Sequence, residues 1–382
     1  MKKRLFTPGP TPVPEEILLE MAKPIIHHRT AEFRQINEEV EKDLQELFQT
    51  KNPVVTLSSS GTGAMEAAVS NILSPGEKAL VIKGGKFGER FGEICSAYGI
   101  DVVAIDVEWG KAVEPESIRK ILNNEKDIKA VFTTLCETST GVLNDLEAIG
   151  KIVAAFPDTV LVVDAVSSLG AVSCRTDEWK LDVVITGSQK ALMLPPGLAF
   201  LSISEKAGKK IESSKSPKYY FDLKKYRKSL DKFDFPFTPA VSLILGLKKS
   251  LSLIREEGLE NVLKRHKILA EATRAAVKAV GLELLAEKPA NALTAVKVPE
   301  GIDGNELTKV LKGKYGVNFA GGQAQLKGKI FRIAHLGYFD ELDIILAISA
   351  LEMTLSGMGY KFELGAGIKA AEEILTKEPP KE

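Results

Sequence analysis

Thr159-Val160-Leu161-Val162-Val163-Asp164-Ala165-Val166 is a run of mostly β-branched, apolar residues interrupted by a single carboxylate. A strand with one wet face alternates apolar and polar residues. This run is apolar at nearly every position, as expected for a strand buried on both faces. Six more runs of the same character lie at residues 54–57, 79–82, 102–107, 130–135, 182–186 and 198–203. Between several of them are segments with helical spacing, such as residues 63–73 and 146–155. Repeated strand–helix units predict an α/β fold: a mostly parallel central sheet with helices on both faces.

Beyond residue 205 this rhythm stops. Lys-rich and aromatic stretches end in Phe235-Pro236-Phe237-Thr238-Pro239, and a long helical region covers 241–280. The pattern then reads strand (282–285 and 293–298), helix (304–312), strand (330–334) and helix (341–355), a compact α+β unit. The expected division is an N-terminal arm over 1–20, a large domain over 21–262 and a small C-terminal domain over 263–382. A chain of 382 residues is long enough for two cores. The polar tail at 377–382 is expected to fray.

Composition excludes several function classes. The 51 basic and 51 acidic residues cancel, so no domain-scale positive field recruits nucleic acid or an anionic membrane. No apolar run approaches the roughly 18 residues of a membrane helix. The start, Met-Lys-Lys-Arg-Leu-Phe followed by Thr7-Pro8-Gly9-Pro10, lacks the apolar stretch of a secretory signal. Cys95, Cys136 and Cys174 are odd in number and widely spaced, which argues against a disulfide framework or a CxxC metal pair. The expected location is cytoplasmic, with no metal.

In open α/β sheets, ligands sit beyond the carboxyl ends of the strands, and three strand ends here carry informative residues. Ser58-Ser59-Ser60-Gly61-Thr62-Gly63 follows strand 54–57 and opens a helix. Small hydroxyl and glycine residues at a helix N-terminus suit a phosphate, or serve as an ordinary cap. Asp164 closes its strand as a ring-nitrogen partner, a helix cap, a metal ligand or half of a buried ion pair. Thr186-Gly187-Ser188-Gln189-Lys190 ends strand 182–186. A lysine among small residues there is either desolvated and nucleophilic or simply solvated. Phosphate cradle, acid and amine together, in that order, make a specific constellation.

The sequence resembles the class V aminotransferases, the serine–pyruvate, alanine–glyoxylate and serine–glyoxylate group within the fold-type I pyridoxal 5′-phosphate (PLP) enzymes. The matching motifs run from Thr7-Pro8-Gly9-Pro10 to Arg332-Ile333-Ala334-His335-Leu336-Gly337. The most specific is Gly187-Ser188-Gln189-Lys190-Ala191-Leu192 followed by Pro195-Pro196-Gly197. Glu137-Thr138-Ser139-Thr140-Gly141 and Asp164-Ala165-Val166-Ser167-Ser168 also match. The resemblance implies a PLP cofactor carried by Lys190, with Asp164 facing the pyridine nitrogen. It places Ser60, Gly61, Thr62 and Gln189 at the phosphate, Thr138 near the ring's phenolic oxygen, and Val166 and Phe87 on the two ring faces. Arg332 and Gly9 fall to the substrate. Thr238 reaches the phosphate of a partner subunit, implying a homodimer with shared sites. Relatives often supply a tyrosine three residues before that threonine, where this chain has Phe235.

The implied activity is ping-pong transfer of an amino group from serine or alanine to pyruvate or glyoxylate, with aspartate as an alternative donor. A cysteine desulfurase needs a mobile cysteine late in the chain, and none follows Cys174. A non-catalytic hydrogenase-associated subunit is the other rival; Lys190, Asp164 and Arg332 argue against it. His27-His28-Arg29 reads as a polar helix start, His335 as structural, the cysteines as core residues, and the charged run 38–46 as a solvated helix face.

Overall fold

The structure is a computed structural model that describes residues 2–377, so most of the tail expected to fray lies outside the described residues. Its strands are, in chain order, β1 (Arg4–Phe6), β2 (Val54–Leu57), β3 (Lys78–Lys83), β4 (Asp101–Asp106), β5 (Ile128–Thr134), β6 (Cys136–Glu137) and β7 (Val142–Leu143). They continue with β8 (Val160–Asp164), β9 (Val183–Gly187), β10 (Ala199–Ile203), β11 (Leu293–Lys297), β12 (Val317–Gly321) and β13 (Ile330–Ala334).

The central sheet has seven strands in the order β2-β10-β9-β8-β5-β3-β4. All seven runs of the first half of the chain are in it. Strands β4, β3, β5, β8 and β9 are mutually parallel, and every residue of β8, β9 and β10 is buried. Strand β10 is antiparallel to both β9 and β2. A parallel neighbour needs a crossover, usually a helix, whereas residues 188–198 return directly as a loop. Because β10 is reversed against both neighbours, β2 runs in the same direction as β9. The carboxyl ends of β2, β5, β8 and β9 therefore share one edge of the sheet, and that edge carries the site.

A second sheet has the order β1-β12-β13-β11. Strand β1 pairs in parallel with β12, Arg4 opposite Val317 and Phe6 opposite Phe319. Neither β1 nor β12 is foreseen from the sequence: three residues, Arg4–Phe6, are too few to show a period, and β12 is only partly buried. The expected strand at 282–285 reduces to an isolated bridge between Leu284 and Val296. The long helical region is two helices, Val241–Glu257 and Leu259–Ala279, broken at Gly258, whose φ of +82° suits glycine. A further helix, Ala366–Leu375, closes the described chain.

The charged run 38–46 is not wholly solvated. Within helix Ala31–Phe48, Val40, Glu41 and Leu44 are buried. The Glu41 carboxylate accepts the N–H of Val54 at 2.8 Å, and burial pushes its pKa up to about 7. No helix among the described residues is long and apolar enough to cross a membrane.

Candidate active site

Lys190 stands in the loop after β9, and its Nζ donates to the carbonyl of Pro8 at 2.5 Å. The N-terminal segment is laid across this loop: Thr11 Oγ1 donates to the Lys190 carbonyl at 3.0 Å, and Thr11 N donates to the Gln189 carbonyl at 3.3 Å. Gly9 adopts φ +139°, and a Cβ there would stand 2.2 Å from Lys190 Nζ. Only glycine fits. Burial desolvates the ammonium and lowers its pKa to about 8; the Asp164 charge opposes this and the Arg332 charge adds to it.

Asp164 closes β8 and is buried; its Oδ1 accepts the N–H of Val166 at 2.8 Å. Burial pushes its pKa up to about 6, against the pull of that hydrogen bond. Two residues on, Val166 packs where a Cβ on Gly61 would fall, 2.8 Å from its Cγ2. This ties the end of β8 to the cradle that follows β2.

In that cradle Ser60 precedes helix Gly61–Ile72 with φ −86° and ψ 166°, and no side chain caps the helix. The first backbone N–H groups of a helix have no intrahelical acceptor, so they and the dipole remain available to an anion. Gln189 Oε1 is buried without a hydrogen-bond partner. A Cβ on Gly187 would lie 3.2 Å from that atom and 3.7 Å from Gly61 N, so the amide sits beside the cradle. A half-turn of the amide brings its NH2 donors to the same place.

Strand β6 supplies the other wall. Glu137 is buried, and its carboxylate accepts from Gly88 N (3.0 Å), Phe87 N (3.3 Å), Ser139 N (3.1 Å) and Ser139 Oγ (2.6 Å). It thereby caps helix Lys86–Ala97 from outside and fixes the backbone of Phe87. Burial raises its pKa, against these hydrogen bonds. The intervening Thr138 turns the other way: its Oγ1 shares a 2.6 Å hydrogen bond with Ser167 Oγ, and its carbonyl accepts from Arg332 Nη1 at 2.9 Å.

Arg332 lies mid-strand in β13 opposite Ala295 and Ala320, two small neighbours that leave room for the guanidinium. Its Nη2 donates to the Gly321 carbonyl at 2.8 Å, and it is only 6% exposed. Burial lowers its pKa to about 10, yet no carboxylate among the described residues forms an ion pair with it. A buried cation held by carbonyls alone is a receptor for an anion.

Residues 5–334 match the family Aminotransferase class-V. The chain belongs to this family. It is 47% identical to a protein of Synechococcus sp. named soluble hydrogenase, small subunit, over 98% of this chain and 99% of that one. It is 40% identical to the serine–glyoxylate aminotransferase of Hyphomicrobium methylovorum (99% and 95% covered) and 39% identical to the L-aspartate–glyoxylate aminotransferase of Paracoccus denitrificans (97% and 95%). The crystal structure of ureidoglycine–glyoxylate aminotransferase from Bacillus subtilis superposes with a TM-score of 0.93 at 31% identity, covering 98% of each chain.

This class V aminotransferase has a fold-type I architecture and uses PLP. The residues on the sheet edge fit that group. A buried carboxylate (Asp164) suits a protonated ring nitrogen, an uncapped helix start with an unpartnered amide (Gln189) suits a phosphate, and a desolvated amine (Lys190) suits an aldehyde.

Of the residues singled out in sequence, the fold joins Gly9, Gly61, Thr138, Asp164, Val166, Gln189, Lys190 and Arg332 through the contacts above. Ser60, Thr62 and Phe87 adjoin them. Thr238 is exposed, two residues before Ala240, whose N–H donates to Ser58 Oγ at 3.1 Å. Nothing in the sequence marks a role for Pro8, Thr11, Glu137, Ser139, Ser167 or Arg90. Glu137 and Ser139 flank Thr138 in a quoted motif, but only Glu137 lies in β6; Thr138 and Ser139 are in the turn that follows, so no strand alternation in the sequence marks their directions.

Phe235 and Phe237 pack within their own chain. Phe235 lies 6.3 Å from the Phe33 ring, and Phe237 is stacked on Tyr220 at 5.1 Å. His27–Arg29 lies just before helix Ala31–Phe48, whose cap Thr30 accepts from Phe33 N through Oγ1. His335 is structural, bonded to Thr294 and to the Asn291 carbonyl.

Proposed function

We propose that the protein moves the amino group of a small amino acid, serine or alanine, to a small 2-oxo acid, pyruvate or glyoxylate, with Lys190 and Asp164 as its catalytic residues. PLP, when bound, supplies the electron sink that makes the α-proton of an amino acid removable. Lys190 would hold the cofactor and, once displaced, carry a proton at Nζ; a pKa near 8 leaves a substantial fraction as free base at neutral to mildly alkaline pH. Asp164 would keep the ring nitrogen protonated. Ser60, Gly61, Thr62 and Gln189 would take the phosphate, with Phe87 and Val166 against the ring faces. Glu137 holds the backbone of Phe87 and of Ser139 in place.

The observation that carries the substrate reading is Arg332, one buried guanidinium with no ion-pair partner among the described residues. It grips one carboxylate in a two-point fork. A dicarboxylate donor needs a second cation. Arg29, the arginine just before helix Ala31–Phe48, is engaged elsewhere: its Nη1 donates to Asp234 Oδ1 at 2.6 Å and to the Phe235 carbonyl at 2.7 Å. Glu137 adds a buried negative charge whose field reaches Arg332. Both disfavour a second carboxylate.

Steady-state kcat/KM for serine, alanine, aspartate and glutamate, each with pyruvate and with glyoxylate, tests this. Serine and alanine are expected to lead. Aspartate ahead by tenfold, about 1.4 kcal/mol in transition-state binding, overturns the small-donor reading.

We also infer a homodimer in which Thr238 serves the partner's cofactor phosphate. Its exposed hydroxyl and the family resemblance support this. Mixing Lys190→Ala with Thr238→Ala protein, under subunit exchange, should restore activity in one site of two. A mixture no more active than its parents counts against sharing.

A further inference from the structure

We propose that Arg90 is a positioning residue for the phosphate end of the cofactor site, acting through the hydroxyl of Thr62. This rests on the reading of Ser60–Thr62 as the phosphate cradle.

Helix Lys86–Ala97 carries Phe87 in its first turn and Arg90 three residues later, on the same side of the helix. The Arg90 guanidinium carbon stands 4.8 Å from the centroid of the Phe87 ring. Its Nη1 donates to Thr62 Oγ1 at 3.2 Å. One side chain of helix Lys86–Ala97 thus bridges two parts of the site that belong to different strand–helix units.

The hydrogen-bond direction matters. A threonine hydroxyl has one proton and two lone pairs. Arginine is only a donor, so Thr62 must use a lone pair for it and keeps its proton free. Thr62 is the second residue of an uncapped helix start. A phosphate dianion there is only an acceptor, so a hydroxyl already accepting from Arg90 is oriented to donate to it. Two hydrogen bonds in series, the first from a cation, strengthen each other.

Charge points the same way. Ser60, Gly61, Thr62 and Gln189 offer the phosphate dipoles and no formal charge. Arg90 has no ion-pair partner among the described residues, whereas its neighbours Glu89 and Glu93 are turned to Lys86, at 2.7 and 3.8 Å. Its field also reaches Lys190 and Asp164, lowering the pKa of each. The bland alternative is that Arg90 only backs the Phe87 ring, a common arrangement. The two roles differ in one respect: backing the ring affects any pyridine ligand, while orienting Thr62 affects only a ligand with a phosphate.

The test uses the full-length protein stripped of cofactor, titrated with PLP and with pyridoxal, which lacks the phosphate. Binding is followed by quenching of Trp109 and Trp179 fluorescence and by the visible band. Wild type should prefer PLP strongly. Arg90→Met should weaken PLP by about tenfold or more while changing pyridoxal by less than about twofold. Thr62→Val should weaken PLP selectively too, and the double variant should be little worse than the poorer single one, because the two residues act in series.

Inorganic phosphate should compete less well with PLP for Arg90→Met than for wild type. Equal losses for PLP and pyridoxal in Arg90→Met, or no loss for either, overturn the proposal. So do additive effects in the double variant. A wild-type protein that binds PLP and pyridoxal equally overturns the cradle reading along with it. A wild type that prefers PLP beside an Arg90→Met variant that keeps the same preference overturns the role of Arg90 alone.

Discussion

Lys190→Ala is expected to remain folded, lose borohydride-fixable cofactor entirely, and lose turnover by about four orders of magnitude or more. The side chain has a specific place: its Nζ is held by the Pro8 carbonyl, beneath a glycine where a Cβ would be 2.2 Å away. No other amine among the described residues stands in that position, so no substitute is at hand. The wild-type protein should show why burial matters. An ammonium has no lone pair with which to attack an aldehyde. Because burial lowers the folded pKa to about 8 from the ordinary 10.5, covalent capture of PLP should accelerate as pH rises through about 8 and then level off. An unperturbed lysine would keep accelerating for about two further pH units. Stopped-flow capture rates with borohydride trapping check both points. Fixable cofactor in Lys190→Ala places the attachment elsewhere.

Asp164→Asn should keep the fold and still bind PLP, but lose on the order of 3 kcal/mol or more of transition-state stabilisation, at least about a hundredfold in kcat. Asparagine preserves the shape and the acceptor for the Val166 N–H, so packing is little disturbed. What it removes is the negative charge opposite the ring nitrogen. The pH dependence should separate charge from shape. In the folded chain without cofactor the carboxyl titrates near 6, raised by burial, so the anion is present above that pH and is lost below it. A cationic ring nitrogen pulls this value down. Wild-type cofactor affinity should therefore decline as pH falls below about 6, while the Asn variant shows no such limb. A near-normal kcat for Asp164→Asn makes the residue structural.

Residues 54–203 disclosed the central sheet because their signal is local. A strand buried on both faces must be apolar along its whole length, so β8 and β9 are written directly in the chain. The rule that ligands lie past the carboxyl ends of such strands points to Ser60, Asp164 and Lys190 from the sequence alone. Motif resemblance added Thr138 and Arg332, which no local pattern distinguishes from other threonines and arginines.

What tertiary structure decided is what long-range contact creates. Strand β1 exists only because Arg4–Phe6 meets Val317–Phe319 across the chain. That pairing, with the two hydrogen bonds of Thr11, lays Pro8 and Gly9 over Lys190. The receptor character of Arg332 depends on Ala295 and Ala320 beside it and on two carbonyls from separate segments. The partnerships of Glu137 with Phe87, of Arg90 with Thr62 and of Arg29 with Asp234 span 28 to 205 residues. Periodicity reports which face of an element is buried. It carries no information about which distant polar atom completes a hydrogen bond, and those pairings set the charge, the donor direction and the free space of this site.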